Sequence, residues 1–310
     1  MNNKVKTILI IVMSILILLG IGLIFYPIIS SVYTESVRSE VKSEYVEELN
    51  NIDTSEIDAA RQAAIEYNRR LFSGYIDILD PESTGYYEQL NITNNGIMGY
   101  IDIPSINVNL PIFHGVGDDS LTTGTGHMPQ TSLPVGGENT RCVISAHTGS
   151  ASSAMFTDLP NMQIGDYFYL EVLGQTLAYQ ILETEAVPDP ITTVLPEEVN
   201  SIKIIRGEDL VTLVTCTPYG INSHRLLVTG TRVDMPDEDI QAITPNTENN
   251  KSSNSSIWMQ EYMQGVYLSL VLALVFVLFI IMIVLILVIT RKKKELAGKK
   301  LRKAGGTAHD

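Results

Sequence analysis

Three residues of complementary chemistry stand where apolar segments of the chain end or begin. Cys216 follows the mainly apolar run LVTLV, Arg225 opens the next apolar segment, and His147 follows the string CVISA. A thiol becomes a strong nucleophile near neutral pH when a base or an imidazolium lies beside it. A guanidinium can donate hydrogen bonds to the oxyanion that forms when a thiolate attacks a carbonyl. These residue types predict acyl transfer through a cysteine.

The segment between the thiol and the guanidinium is typical of a turn. Arg225 follows Cys216 by nine residues, and Pro218, Gly220 and Asn222 lie between them. If the flanking segments pair as antiparallel strands, the two side chains emerge at one rim. Taken singly, each residue also has a structural interpretation: a thiol in the core, an arginine on a surface hairpin, or a hydrogen-bonded histidine.

The second cysteine, Cys142, lies five residues before His147, an odd offset that places the two side chains on opposite faces of a regular strand. The cysteine count leaves three arrangements open: one disulfide, two buried thiols, or one working thiol and a bystander. A disulfide between Cys142 and Cys216 would remove the nucleophile, so acyl transfer predicts that it does not form in the active protein. We expect no role for His224, beside Arg225.

Two long uncharged apolar runs are predicted to cross a membrane. They cover residues 7–29 and 266–290, and each is long enough to span the roughly 30 Å hydrocarbon core as a helix. Lys4 and Lys6 precede the first run, but no Ala-x-Ala-like cleavage site follows it, which favours an uncleaved anchor over a removed signal peptide. Eight basic residues follow the second run. The positive-inside rule therefore places both termini in the cytoplasm and the middle of the chain outside.

The external part of the chain is strongly acidic. Residues 30–265 contain 11 basic and 33 acidic residues, a net charge of −22. Such a surface repels nucleic-acid backbones and anionic lipid headgroups and favours cationic partners. We therefore expect no nucleic-acid partner.

This external part divides into a helical region and a β-rich region. Asp53 followed by Glu56 resembles a capping box, and apolar residues then recur at helical spacing as far as Leu71. The segment DILDPESTGYY ends the helical pattern. From Gly99 onward, short strand-like runs alternate with turn residues, which favours a closed barrel or a sandwich over a parallel α/β sheet. Residues 96–233 are predicted to form one mainly β domain, followed by a polar tether.

Several strings of this β-rich region resemble the sortases. TLVTC with the downstream Arg225 is similar to their Thr-Leu-x-Thr-Cys signature and arginine, and SAHTG is similar to the segment that carries their histidine. The longer strings resemble the class C, pilin-assembling branch: GYIDIPSINVNLPIFHG, GTGHMPQTSLPVGGENTRCVISAHTG and LVTLVTCTPYGINSHRLLVTGTR. The resemblance implies a closed eight-stranded sortase-type β-barrel with Cys216, His147 and Arg225 as the catalytic set. It also makes Thr215 a candidate for supporting the substrate or the oxyanion.

With this resemblance, the predicted organisation has seven parts along the chain. They are a cytoplasmic N-terminus (1–6), a transmembrane helix or uncleaved signal anchor (7–29), an extracellular helical region with a candidate lid loop (30–95), the catalytic β-barrel (96–233), a flexible linker (234–265), a second transmembrane helix (266–290) and a basic cytoplasmic tail (291–310).

The resemblance also implies a reaction. In sortases the cysteine attacks the Thr-Gly carbonyl of a Leu-Pro-x-Thr-Gly sorting signal, and an amine then resolves the thioacyl enzyme. In the pilin branch that amine is a lysine side chain of another pilin. Cys216 would be the nucleophile, His147 would move the protons, and Arg225 would steady the oxyanion or orient the signal. The expected partners are pilins or surface proteins with a C-terminal sorting signal and a lysine or cell-wall amine, at the outer face of a Gram-positive-type membrane; no metal or cofactor is expected.

One segment departs from the class C pattern. Class C enzymes commonly carry a lid, an Asp-Pro pair followed by an aromatic residue, whose acid pairs with the active-site arginine. Here LDPEST supplies Asp80 and Pro81, but Glu82 occupies the aromatic position. Tyr86 or Tyr87 is then the alternative ring, and an ordinary loop without a lid function is the other interpretation.

Three other functions compete with pilin polymerisation. A housekeeping sortase would attach single surface proteins to the cell wall. A non-catalytic module would bind sorting signals without reacting, although all three catalytic residue types are present. A cysteine protease would let water resolve the thioester.

Overall fold

The computed structural model describes residues 40–75, 80–150 and 153–236, together with isolated positions at 20, 22, 276, 277, 280 and 284. The three long stretches belong to one unit, Ile29–Ile243. Within the described residues, no helix combines the length and the apolar character needed to cross a bilayer. Apart from the isolated positions, the predicted spans at 7–29 and 266–290 lie outside the described residues, as do the tail at 291–310 and most of the predicted linker.

Within the described stretch 40–75, two helices precede the β-rich region. Residues 40–51 are helical (α1), and Thr54–Phe72 forms α2. The predicted N-cap of α2 is confirmed, because the Asp53 side chain accepts a hydrogen bond of 2.8 Å from the Ser55 backbone N–H. This bond satisfies one of the backbone donors that a helix start leaves without an intrahelical partner. Tyr45 of α1 and Ala64 and Leu71 of α2 are buried in the main core cluster.

Polar contacts fix both helices on the β-rich region. Asn68 of α2 makes two bonds to the backbone of Leu133: its Oδ1 accepts from the N–H at 2.7 Å, and its Nδ2 donates to the carbonyl at 3.1 Å. Lys42 of α1 forms a salt bridge of 3.0 Å with Glu171. A buried amide that uses both its donor and its acceptor specifies one docking geometry, because moving it would leave a buried polar group unsatisfied.

The remainder of the unit is built mainly from short strands. They are β1 (Ile97–Ile103), β2 (Val108–His114), β3 (Thr125–His127), β4 (Thr140–Ser145), β5 (Thr148–Ser150), β6 (Ser153–Met155), β7 (Tyr167–Val172), β8 (Gln175–Gln180), β9 (Ile191–Val194), β10 (Asp209–Thr217) and β11 (His224–Val233). One short helix, α3 (Asp118–Thr123), precedes β3. Three 3-10 helices occupy Pro104–Ile106, Leu159–Asn161 and Val199–Ile202.

Eight of these strands close into a barrel. The strand order is β10-β4-β3-β2-β1-β7-β8-β11, and β11 pairs again with β10. The predicted closed eight-stranded barrel is therefore confirmed. Strand β9 lies outside this ring: it pairs with residues 225–228 of β11, whereas β8 takes residues 231–233 along the same edge.

Side-chain alternation separates an inner and an outer face of the barrel wall. On β4, Cys142 and Ile144 belong to the main core cluster, whereas Val143 belongs to a small second cluster. On β10, Leu213 faces the main core and Val214 joins the second cluster. Since successive side chains of a strand point to opposite faces, the second cluster marks the outer face of β4, β10 and β11.

The wall has almost no free space at Gly230 of β11. A Cβ atom added at this glycine would lie 2.5 Å from the Phe168 ring. Phe168 is fully buried and stacks on Tyr179, with ring centroids 5.7 Å apart. A side chain at residue 230 would displace this aromatic pair, so the close approach requires glycine.

A buried tyrosine attaches the segment after α2 to the barrel. Tyr86 is fully buried, and its hydroxyl lies 2.9 Å from Nδ1 of His127 and 3.1 Å from the His127 carbonyl. His127 is also fully buried, and its Nε2 lies 2.8 Å from the Ser132 carbonyl. Burial disfavours the charged imidazolium and lowers the pKa of His127 to about 4. The imidazole is therefore neutral in the folded protein, with Nε2–H donating to Ser132.

We predict that acid destabilises the fold through His127. Because its folded pKa of about 4 lies below that of an unfolded histidine, the unfolded chain binds the extra proton as pH falls. The stabilisation is complete above the unfolded pKa and decreases through the window below it, by about 2 kcal/mol between pH 7.5 and 5. Urea unfolding of the parent and of His127→Gln at both pH values measures this difference. The variant should lose less stability on acidification, and equal losses in the two proteins would contradict the prediction.

Candidate active site

The predicted pairing of the thiol and the guanidinium is confirmed. Strands β10 and β11 are antiparallel, and their register places Cys216 directly opposite Arg225. Both residues are half-buried. Each lies two residues from a member of the outer-face cluster, Val214 on β10 and Leu227 on β11. Cys216 and Arg225 therefore share the outer face of the barrel, near its rim.

His147 reaches the same place although it lies beyond the end of β4. The backbone N–H of Ala146 donates to the carbonyl of Val214 at 3.1 Å. On the other side of the histidine, Thr148 Oγ1 donates to the Cys216 carbonyl at 2.8 Å. Both neighbours of His147 are thus bonded to the strand that carries the thiol. The imidazole itself is exposed.

Thr215 links the same two segments from inside the wall. It is only 2% exposed, and its Oγ1 donates to the Ala146 carbonyl at 2.8 Å and also contacts Thr148 Oγ1. The sequence made Thr215 a candidate for supporting the substrate or the oxyanion. In the structure its hydroxyl proton is directed at a backbone carbonyl, so the side chain holds the His147 segment against β10.

The guanidinium of Arg225 is partly held by its own loop. Its Nη1 donates to the carbonyls of Asn222 and His224, at 3.1 and 3.0 Å. Among the described residues, its Nε and Nη2 have no hydrogen-bond partner. The loop therefore restrains one side of the guanidinium and leaves the other donors for a ligand.

These groups line one cavity of about 320 Å³. Its floor is the outer face of β4, β10 and β11. The roof is the segment that runs from the end of β9 through the 3-10 helix Val199–Ile202, and residues near α3 contribute a third wall. The lining residues are Val116, Leu121, Met128, Ser145, Ala146, His147, Val194, Leu195, Pro196, Glu198, Val199, Ile202, Val214, Thr215, Cys216, Arg225 and Leu227. A peptide placed here would meet an apolar trough with the reactive groups at one end.

A buried arginine fixes the roof to the floor. Arg141 is 6% exposed; its Nε donates to Thr212 at 2.9 Å, its Nη2 to Thr229 at 3.2 Å and its Nη1 to the Lys203 carbonyl at 3.2 Å. Burial lowers the pKa of Arg141 to about 10, so the side chain remains charged near neutral pH. The bond to Lys203 ties the end of the roof segment to β4, next to the apolar part of the trough.

A family model and curated relatives match this part of the chain. The model, described as the sortase domain, matches residues 101–233. Sortase A of Streptococcus agalactiae is 32% identical over 170 residues, which cover 52% of this chain and 65% of that protein. Sortase D of Bacillus subtilis is 28% identical over 138 residues, or 44% of this chain and 63% of that protein. The chain thus spans less than two thirds of the length of either curated relative.

Solved structures match over nearly their whole length. Sortase C of Streptococcus pneumoniae is 41% identical, with a TM-score of 0.56, and the match covers 63% of this chain and 97% of that one. Sortase C-1 of Actinomyces oris is 46% identical, with a TM-score of 0.51, covering 58% of this chain and 99% of that one. The chain belongs to the sortase family. Its structural neighbours are class C sortases, and sortases are cysteine transpeptidases.

The candidate lid residues of this sortase do not line the cavity. Asp80 and Pro81 are not among the lining residues, and Asp80 Oδ1 accepts a bond of 3.3 Å from the Ser83 N–H. Asp80 takes part in no salt bridge within the described part of the chain. Of the two alternative rings, Tyr86 is a core residue bonded to His127. Tyr87 is 43% exposed and packs against Tyr86, with ring centroids 5.0 Å apart.

The second cysteine and His224 do not line the cavity. Cys142 is buried and free, and burial raises the pKa of its thiol well above the usual range. Cys216 is also free. His224 Nδ1 lies 2.9 Å from Ser223 Oγ in the β10–β11 loop. Across the described stretches, no group of three or more His, Cys, Asp or Glu side chains is arranged to hold a metal ion.

Sequence reasoning missed the residues that position the sortase site without reacting. Thr148 follows His147 directly, and a hydroxyl beside a catalytic candidate was the available signal. Arg141 stands in the otherwise mainly apolar string TRCVIS, and a charged residue in such a strand signals a buried polar contact. The roof residues, including Glu198, carry no sequence signal, because only the fold brings them over Cys216.

We predict that Thr215→Val destabilises the protein. Valine replaces the hydroxyl by a methyl of similar size, so the Ala146 carbonyl loses its 2.8 Å donor, at a cost of about 1–3 kcal/mol. Urea unfolding measures the loss, and Thr215→Ser, which keeps the hydroxyl, should lie much closer to the parent. If Thr215 serves only the substrate, Thr215→Val will instead lower acyl transfer with the free energy of unfolding unchanged.

Proposed function

We propose that this chain is a membrane-anchored class C sortase that polymerises pilins. It would cleave Leu-Pro-x-Thr-Gly-type sorting signals between Thr and Gly and join the new carboxyl end to a pilin lysine. One observation carries the proposal: Cys216 stands opposite Arg225 in a register-fixed strand pair, and His147 lines the same cavity. This set supplies a nucleophile, an oxyanion donor and a proton carrier in one place.

In the proposed first half-reaction, the Cys216 thiolate attacks the Thr carbonyl of the signal. The negative charge that develops on the carbonyl oxygen is met by donors of Arg225, whose Nη1 is already held by the β10–β11 loop. His147 gives its proton to the glycine nitrogen as the peptide bond breaks. The product is a thioester between Cys216 and the Leu-Pro-x-Thr fragment.

In the second half-reaction, an amine enters in place of the departed glycine segment. His147, now neutral, takes a proton from the attacking nitrogen, and the thiolate of Cys216 leaves. The apolar trough formed by Val214, Leu227 and the roof keeps the acyl peptide in position meanwhile. Water can resolve the same thioester, so a slow hydrolysis is expected without an amine.

The structural neighbours support the substrate class and the pilin role. Sortase C of Clostridium perfringens, 42% identical with a TM-score of 0.55, has been solved with the C-terminal cell wall sorting motif. The structure of Streptococcus pneumoniae sortase C bears on pilin substrate specificity. The curated relatives named sortase A support a second candidate, attachment of single proteins to the cell wall.

The proposed location is the outer face of the cell membrane. The supporting features are the two uncharged apolar runs at residues 7–29 and 266–290 and the basic residues that follow the second run. Secreted substrates would then meet the cavity as they emerge from the membrane.

We predict that the full-length chain in detergent forms a covalent adduct with a Leu-Pro-x-Thr-Gly peptide. Intact-protein mass spectrometry should show a mass gain equal to the Leu-Pro-x-Thr acyl group, and an added amine should remove it. Cys216→Ala should show no gain, because it lacks the nucleophile. An equal gain in Cys216→Ala would refute the catalytic assignment, and full pilus assembly by that variant in cells would favour a non-catalytic binding module.

Two additions to this experiment separate the neighbouring possibilities. A pilin domain with its acceptor lysine and an oligoglycine peptide are offered as competing amines, and preference for the lysine supports pilin polymerisation over wall attachment. If the parent forms no adduct, Asp80→Ala is tested: an adduct in that variant alone means that the Asp80 loop covers the site. Absence of an adduct from both proteins rejects the proposed chemistry.

We predict that protease added to intact cells cleaves the chain between residues 30 and 265 only. An epitope fused to the tail after residue 310 should survive on a membrane-embedded fragment, because the tail is placed in the cytoplasm. Loss of the epitope in intact cells, or release of the whole chain from membranes by high salt, would contradict the proposed two-span topology.

A further inference from the structure

One imidazole of the barrel faces two backbone carbonyls at once. His114 ends β2 and is half-buried. Its Nε2 lies 2.7 Å from the Gln89 carbonyl oxygen, and its Nδ1 lies 3.0 Å from the Gly96 carbonyl oxygen. A carbonyl oxygen can only accept a hydrogen bond, whereas a neutral imidazole has a single N–H donor. The neutral ring can therefore satisfy one of these contacts, and the imidazolium, with two N–H donors, satisfies both.

The neighbouring rings are compatible with a positive charge at residue 114. The Tyr86 and Tyr87 ring centroids lie 5.3 and 6.0 Å from that of His114, close enough for the attraction between a cation and an aromatic ring. His127 stands beside His114 in the β2–β3 ladder. Burial lowers the pKa of His127 to about 4, so His127 places no like charge next to an imidazolium near neutral pH.

The carboxylates of the elements around His114 are exposed and do not pair with it. Helix α3 packs on β2 through Ser120, whose Oγ donates to the His114 carbonyl at 2.8 Å. Asp118 and Asp119 of this helix and Glu88 of the segment before β1 are exposed. In residues 40–75, 80–150 and 153–236, no salt bridge includes His114. The two carbonyls are therefore the contacts that change when the ring gains or loses a proton.

His114 joins the segment before β1 to a wall of the cavity. Residues 86–96 form this segment, and two of their carbonyls face the imidazole. The Gly115 N–H, directly after His114, donates to the Tyr86 hydroxyl at 3.0 Å. Val116 follows and lines the cavity. A change in the contacts of His114 therefore reaches the cavity wall through one intervening residue.

We propose that His114 is a positioning residue whose charge state determines how firmly residues 86–96 and the wall at Val116 are held. The imidazolium donates to both carbonyls. When it releases its proton to solvent, one ring nitrogen keeps a lone pair that faces a carbonyl oxygen, so one of the two contacts must open. The attachment is complete at acidic pH and weakens as the pH rises through the range in which histidines titrate. His127 acts in the opposite direction, because its burial destabilises the fold in acid.

Hydrogen exchange of the full-length chain in detergent measures this attachment. Backbone protection factors, which are corrected for the intrinsic effect of pH, are compared between pH 5.5 and pH 8 for residues 86–96 and for β8, a strand that pairs with neither β1 nor β2. We expect the protection of residues 86–96 relative to β8 to fall about tenfold at the higher pH, the size typical of one hydrogen bond to a charged group. His127 would change protection in the opposite direction, so it cannot account for a fall.

Two variants assign the effect to residue 114. His114→Gln donates through its amide nitrogen to one carbonyl at either pH, so the protection of residues 86–96 should already be low at pH 5.5 and should not change with pH. His224→Gln removes a histidine whose Nδ1 lies beside the Ser223 hydroxyl, a group that can donate or accept, so its protection should match that of the parent. If His114→Gln does not fold, the parent still decides, because equal or higher relative protection at pH 8 overturns the proposal.

A second measurement follows the cavity wall, and it rests on the proposed transpeptidase function. The rate of thioester formation with the sorting-signal peptide is measured for the parent and for His114→Gln at both pH values. The ratio of the two rates cancels the titration of Cys216 and His147, which both proteins share. We expect the variant to be several-fold slower than the parent at pH 5.5 and to approach the parent rate at pH 8.

The other results overturn part or all of the assignment. Unchanged relative protection in the parent, or the same fall in His114→Gln, rejects His114 as the group that titrates. The expected protection together with a rate ratio that does not vary with pH rejects the role at the cavity wall alone. If the parent forms no thioester, the proposed function fails and the role at the wall fails with it, while the protection factors still decide whether His114 holds residues 86–96.

Discussion

The register between β10 and β11 determines the geometry of the site. Side chains alternate along a strand, so a slip of one residue would turn Cys216 into the barrel wall and separate it from Arg225. The observed register is held on both sides of β10, by the antiparallel ladder to β11 and by the parallel ladder to β4. Closing the barrel therefore does more than remove exposed edges, because it leaves β10 no freedom to slide.

Polar contacts at the far end of the same strands support this register. Asp209, at the start of β10, accepts bonds from the Gly137 N–H at 2.7 Å and the Tyr179 hydroxyl at 3.0 Å. Burial raises the pKa of Asp209, and these two donors oppose that shift because they favour the ionised carboxylate. Nearer the cavity, Arg141 bonds to both Thr212 of β10 and Thr229 of β11. Strand β10 is thus fixed at its start and along its length, and the thiol lies near its end.

Sequence patterns revealed the candidate catalytic residues but not the contacts that position them. The pairing of Cys216 with Arg225 could be predicted because two apolar segments joined by a short turn form an antiparallel hairpin. The α2 helix was predictable for the same reason, since Asp53 and the apolar spacing act within a few residues.

The contacts that could not be predicted join residues far apart in the sequence. Arg141 and Lys203 are 62 residues apart, and their contact exists only after β4 and β10 have paired. Tyr86 stands in a turn-rich segment, and its burial against His127 depends on a contact 41 residues away.

Strand β11 shares one of its edges between two partners, β9 near the rim and β8 farther along. The chain from residue 181 to residue 208 leaves the barrel after β8, builds the roof, and returns as β10. It is joined to the floor by the β9 ladder, the bond from Arg141 to Lys203 and the outer cluster around Val214. The ring of eight strands does not include it. Changes in the length or composition of residues 181–208 can therefore alter which substrates fit under the roof. The barrel strands, and with them the positions of Cys216 and Arg225, would be unaffected by such changes.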